Sequence, residues 1–116
     1  MKKYRIALMP GDGIGPEICE TTKQVTEEVV HHFAPESLEW VHLPIGWEAI
    51  QQKKPPLPLE TLDELEACDG WVLGPHDSAS YPEQYRQSLN PSGAIRKHFD
   101  LYANIRPARS VSSNPY

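Results

Sequence analysis

The chain has 116 residues, 39% of them apolar, and a formal net charge of −5, enough for one ordinary domain with a real core. Sixteen carboxylates against 11 lysines and arginines leave no basic footprint for nucleic acid or an acidic membrane surface. The apolar run after Lys2 and Lys3 is too short for a membrane span or a signal peptide, so a cytoplasmic protein is expected.

Tyr4 to Met9 is a short apolar run that stops at Pro10-Gly11, the pattern of a buried strand entering a glycine turn. Gly15 and Pro16 suit the N-cap and first position of a helix, Glu17 suits its positive end, and Ile14, Ile18, Val25, Val29 and Phe33 recur at helical spacing. The helix is expected to end near Ala34-Pro35. Leu38 to Leu43 reads as a second strand and Trp47 to Gln52 as a short helix cut off by a proline cluster. Within that cluster Pro55 and Pro58 spell PxxP, which suits a rigid surface loop far better than a polyproline ligand. Leu59 to Ala67 reads as a helix and Gly70 to Gly74 as a third strand. The stretch from Pro75 to Leu89 has little periodicity and many polar and aromatic groups, as functional loops do. Asn90-Pro91 caps a helix through His98, and Leu101, Ala103 and Ile105 alternate with polar residues as a last strand. The alternation of strands and helices implies an α/β sheet with at least some parallel pairing.

Cys19 and Cys68 form no CxxC unit and read as packing residues of a reduced compartment. The five histidines lack ligand spacing: His31 and His32 are adjacent and diverge on a helix, while His42, His76 and His98 stand alone. No metal site is expected from them.

Gly11-x-Gly13-x-Gly15, between a strand and a helix, invites a dinucleotide-binding reading. The third glycine comes one residue too early for that fingerprint, however, and Asp12 and Glu17 would repel phosphate. A tight strand-to-helix turn remains the stronger alternative. Farther on, Arg96 near a helix end and Arg106 near the end of a returning strand lie ten residues apart across a chain reversal, so their guanidinium forks can converge on one carboxylate. Taken singly, each is also an ordinary surface arginine. Asn90 and Ser92 precede Arg96 and could form a polar wall beside it, while Asn90 before Pro91 is equally what a helix N-cap requires.

Gly11-Asp-Gly-Ile-Gly-Pro-Glu17 together with Leu101-Tyr-Ala-Asn-Ile-Arg-Pro107 resembles the β-decarboxylating dehydrogenases, which oxidise isocitrate, isopropylmalate, homoisocitrate or tartrate/malate. The resemblance covers essentially the whole chain. It implies an isopropylmalate-dehydrogenase-like partial α/β domain with a mixed sheet flanked by helices, not a Rossmann fold. Residues 1–99 would form the N-terminal part of the first domain, and residues 100–116 the strand crossing toward a second. By the same resemblance Arg96 and Arg106, with Asn90 and Ser92, bind the substrate, and Ile14, Pro75, His76 and Leu89 lie on the cofactor side.

NAD or NADP and Mg²⁺ or Mn²⁺ are implied as cofactors, a small hydroxy acid as ligand, and a homodimer for the full-length family member. The metal and proton-transfer groups would lie beyond Tyr116, so these residues hold none of the family's catalytic or metal positions and are expected to be inactive alone. A polar pair at Asn90 and Ser92, where isopropylmalate members carry leucines, points to an isocitrate-like or tartrate/malate-like acid. Two other readings stay open: a non-catalytic regulatory subunit that keeps the carboxylate site, and a plain α/β small-molecule binding module.

Overall fold

The computed structural model describes residues 2–111. Three strands, β1 (Tyr4–Met9), β2 (Leu38–His42) and β3 (Gly70–Leu73), form one sheet in the order β2-β1-β3, and both pairings are parallel. Each strand is therefore joined to the next by a helical crossover. Helix α1 (Gly15–Phe33) links β1 to β2, and α2 (Trp47–Gln51) with α3 (Leu59–Glu66) links β2 to β3. After β3 come a 3₁₀ turn (Ser78–Ser80), α4 (Glu83–Arg86) and α5 (Pro91–His98).

The core lies on one face of the sheet. Ala7 and Met9 of β1 point into a buried cluster with Leu43, Ile45, Leu62 and Leu65, closed by Ile95 of α5. Ile6 and Leu8, alternating with them along the strand, face the other way. Trp71 of β3 donates its indole N–H to the Leu65 carbonyl at 2.9 Å and packs on Phe99 with ring centroids 4.6 Å apart, which fastens α3 and the end of α5 to the sheet.

Several elements depart from the sequence expectation for identifiable reasons. The apolar stripe of α1 does not face a core: Ile14, Ile18, Val25, Val29 and Phe33 are all exposed, and only Gly15 and Cys19 of the helix are buried. Periodicity reports which residues share a face, and nothing among the described residues packs on this one. The strand expected over Leu101 to Arg106 forms no ladder, and residues 101–111 run exposed outside the sheet. The sheet implied as mixed is accordingly wholly parallel among the described residues. Residues 112–116 of the segment expected to cross to a second domain lie outside the described residues. The long loop from Pro75 to Leu89 contains the 3₁₀ turn and α4, both shorter than any periodicity signal. In the proline cluster, Pro56 accepts a backbone hydrogen bond from Gly46 at 2.7 Å and Pro58 is buried as the N-cap of α3, so the PxxP pair is a rigid connection.

Candidate functional site

All three strands deliver their carboxyl ends to one edge of the sheet, where open α/β sheets bind ligands at the point of reversed strand order. The glycine turn after β1, the Leu43–Gly46 turn after β2 and the Gly74–Asp77 segment after β3 meet there. The glycines serve this meeting of backbones. A Cβ on Gly11, whose φ is +76°, would stand 2.0 Å from the Pro75 carbonyl oxygen. That oxygen accepts the Asp12 backbone N–H at 2.8 Å. The tight turn expected at Gly11 to Gly15 is thus present, and the approach it permits is to the chain's own loop.

Asp12 sits at the centre of the edge, 5% exposed. Its Oδ1 accepts the backbone N–H of Trp47 at 2.8 Å; its Oδ2 accepts the backbone N–H of Asp77 at 2.8 Å and the phenol O–H of Tyr81 at 2.5 Å. Tyr81 is itself buried and meets Trp47 edge-on, while the Trp47 indole N–H donates to Ser80 Oγ at 2.8 Å. Sequence reasoning missed this cluster because its members are scattered over 70 positions in no recognisable spacing. The one available signal was an aromatic hydroxyl inside an aperiodic loop, which needs a partner wherever it is buried.

Burial first, and then the hydrogen bond and charge of Asp12, push the Tyr81 phenol well above the ordinary tyrosine range. The folded state therefore favours the neutral phenol. Its contribution to stability is complete below about pH 10, the unfolded value, and is lost as pH rises beyond it. In an alkaline titration followed by phenolate absorbance, the buried Tyr81 is expected to ionise only as the fold opens. Replacement of Tyr81 by Phe should flatten the loss of stability above that pH; an unchanged slope would contradict the assignment.

The loop pinned by Asp12 carries His76 to α5. His76 Nε2 lies 3.1 Å from Ser92 Oγ, and Ser92 donates to Asn90 Oδ1 at 3.1 Å. Asn90 also caps α5, its Oδ1 accepting the Gly93 N–H at 2.8 Å. The cap and the polar cluster are therefore compatible uses of one side chain, whose amide N–H₂ remains to donate. His76 Nδ1 is buried without a hydrogen-bond partner among the described residues. Residues read separately as cofactor-side (His76) and substrate-side (Asn90, Ser92) thus form one hydrogen-bonded chain.

Ser92 and Arg96 are four apart on α5 and share a face. Arg96 is exposed, and its guanidinium has no partner among the described residues. Asp100, with φ +48°, ends the helix in the left-handed region; its N–H bonds to the Lys97 carbonyl at 3.2 Å and that of Leu101 to the Arg96 carbonyl at 3.1 Å. These paired hydrogen bonds close the C-terminal end of α5. Arg106 then lies exposed on the outgoing segment, its Nε donating to Asn104 Oδ1 at 3.3 Å.

The other sequence candidates, Ile14 and Leu89, make no hydrogen bond to the group of His76, Ser92 and Asn90. Ile14 is 64% exposed and lines a surface depression with Glu17, Ile18, Thr21 and Thr22. Leu89 lines a largely apolar cavity of about 350 Å³ with Pro55, Leu57, Tyr81, Tyr85 and Asn90. That cavity touches Pro91 and Ala94, the side of α5 turned away from Ser92 and Arg96. Both cysteines are free, and burial raises both thiol pKa values, as befits packing residues. No group of three or more histidine, cysteine or carboxylate side chains among the described residues is placed to hold a metal ion, and no helix among them is long and apolar enough to cross a membrane.

The fold is that of a β-decarboxylating dehydrogenase. The enzyme of that description from Thermococcus kodakarensis superposes with a TM-score of 0.67 at 25% identity, over 85% of this chain and 27% of its own. Residues 5–116 match the isocitrate/isopropylmalate dehydrogenase family model, and the chain belongs to that family. The 3-isopropylmalate dehydrogenase of Bacillus licheniformis is 40% identical over 114 residues, covering 96% of this chain and 30% of the relative. That of Prochlorococcus marinus is 36% identical over 115 residues, covering 97% and 32%. The chain spans about a third of the length of these curated relatives.

Proposed function

We propose that these residues are the N-terminal part of an NAD(P)-dependent oxidative decarboxylase acting on a 2-hydroxy di- or tricarboxylic acid of the isocitrate or tartrate/malate type. The hydrogen-bonded chain from His76 through Ser92 to Asn90 carries this reading. Hydride transfer needs the acid and the nicotinamide side by side, and this chain joins the loop assigned to the cofactor with the helix assigned to the acid. Ser92 and Arg96 then offer a hydroxyl and a guanidinium fork from one helix face to a substrate carboxylate. Arg106 supplies the second guanidinium, and residues 100–116 lead toward a second domain. His76 Nδ1, buried and unpartnered, is a polar atom available to the cofactor. The divalent ion of the family finds no donor set among the described residues, and we assign its ligands and the proton-transfer groups to other parts of the enzyme. The full enzyme is read as a homodimer by family resemblance, and as cytoplasmic from the charge and the short apolar run at the N-terminus.

Titration of the isotopically labelled 116-residue chain with isocitrate or tartrate should shift the NMR signals of Ser92, Arg96 and His76 together; no shift at any of the three would refute the site. With Mn²⁺ and either nicotinamide cofactor, the chain alone should reduce none above background with isocitrate, malate, tartrate or isopropylmalate. Substrate-dependent reduction would overturn the placement of the metal and proton-transfer groups elsewhere.

Substrate choice is read from the polar pair Asn90 and Ser92, of which Ser92 shares a face of α5 with Arg96. An isopropyl group would cover the remaining lone pair of Ser92 Oγ and the free Asn90 N–H₂ without offering either a partner, at a cost of about 1–3 kcal/mol each. In the complete enzyme, Ser92→Leu should raise kcat/KM for isopropylmalate relative to isocitrate or tartrate by roughly ten- to a hundredfold. Preference of the unsubstituted enzyme for isopropylmalate, the acid for which the curated relatives above are named, would reverse the substrate assignment.

A further inference from the structure

We propose that Asp12 is a positioning residue: its carboxylate pins the loop at residues 75–82 to the carboxyl edge of the sheet and so delivers His76 to Ser92. The three donors it gathers come from residues 35, 65 and 69 positions away, one from the first residue of α2 and two from the loop after β3. No lysine, arginine or histidine among the described residues forms an ion pair with it. A buried carboxylate without a cation is tolerated only when its oxygens are filled by N–H and O–H donors, so carboxylate and loop conformation require each other.

Two features show that the cradle is built for this contact. Gly46, with φ +61°, leaves room for it: a Cβ there would stand 2.5 Å from Asp12 Oδ1 and 2.6 Å from the Tyr81 hydroxyl. Asp77 and Tyr81 also bracket the Ser78–Ser80 turn, so both ends of that turn hang on a single oxygen, Oδ2. His76 immediately precedes Asp77. Holding the Asp77 N–H therefore fixes the backbone from which the imidazole reaches Ser92, although Asp12 does not touch the imidazole. The consequence for ligand binding rests on the proposed function, whereas the contact itself is read on the ligand-free chain, so the two can fail separately.

Asp12→Asn keeps the size of the side chain but turns one acceptor into a donor facing donors. In the full 116-residue chain, amide hydrogen exchange at residues 75–82 should accelerate roughly tenfold or more, and the imidazole ¹⁵N signals of His76 should move. Amides of the β1–β2 ladder should keep their protection. Tyr81→Phe, which removes one donor and leaves the carboxylate, should produce a smaller change in the same residues and the same direction of His76 shift. Unaltered exchange at 75–82 with an unmoved His76 in Asp12→Asn would overturn the proposal. Where Asp12→Asn loosens the whole sheet, Tyr81→Phe decides: a change confined to 75–82 with a shifted His76 supports it, and a uniform change or none refutes it.

Discussion

Leu65→Ala is expected to cost about 2–5 kcal/mol of folding stability, read as a lowered urea midpoint. Leu65 is fully buried at the centre of the cluster formed by Ala7, Met9, Leu43, Ile45, Leu62 and Ile95. Its truncation removes transfer free energy and leaves a cavity that the sheet, fixed by its ladders, cannot close. Set against a total stability of about 5–15 kcal/mol for an ordinary domain, such a loss is large. Val29→Ala, on the open face of α1, should stay within about 0.5 kcal/mol, because a half-exposed valine loses little and alanine is the better helix former. A cost below about 1 kcal/mol at Leu65, or a larger one at Val29, would contradict the one-sided core.

Arg96→Gln, in the dehydrogenase of which we read this chain as a part, should lower kcat/KM for the hydroxy acid by about 2–4 kcal/mol of binding free energy, roughly thirty- to several-hundredfold. Arg96 stands in the last turn of α5 without a partner among the described residues, so a bound carboxylate would meet a guanidinium not already neutralised. Arg96→Lys keeps the charge and loses the planar fork, and should recover only part of the activity. A loss of less than about threefold in the Gln variant would return Arg96 to the status of a surface cation at a helix C-terminus.

Much of the fold was legible because it rests on local rules. The apolar run ending at Pro10-Gly11 is a strand, Pro16 sits at the start of a helix, and Asn90-Pro91 opens α5. Each of these depends on a residue and its near neighbours. The last strand failed for the complementary reason: Leu101, Ala103 and Ile105 alternate correctly, but a strand exists only where another strand supplies hydrogen bonds, and none of the described residues does.

The candidate site divides in the same way. Sequence alone determined the α/β class, the family motifs at Gly11–Glu17 and Leu101–Pro107, and the polar and basic residues Asn90, Ser92 and Arg96 on one short helix, since these depend on residue identity and spacing. Tertiary structure alone decided that Asp12 is buried among Trp47, Asp77 and Tyr81, and that His76 meets Ser92 across 16 positions. Those contacts arise because parallel strands bring the ends of all three to one edge, and the satisfaction of a buried carboxylate is settled by whichever donors the folded chain brings there.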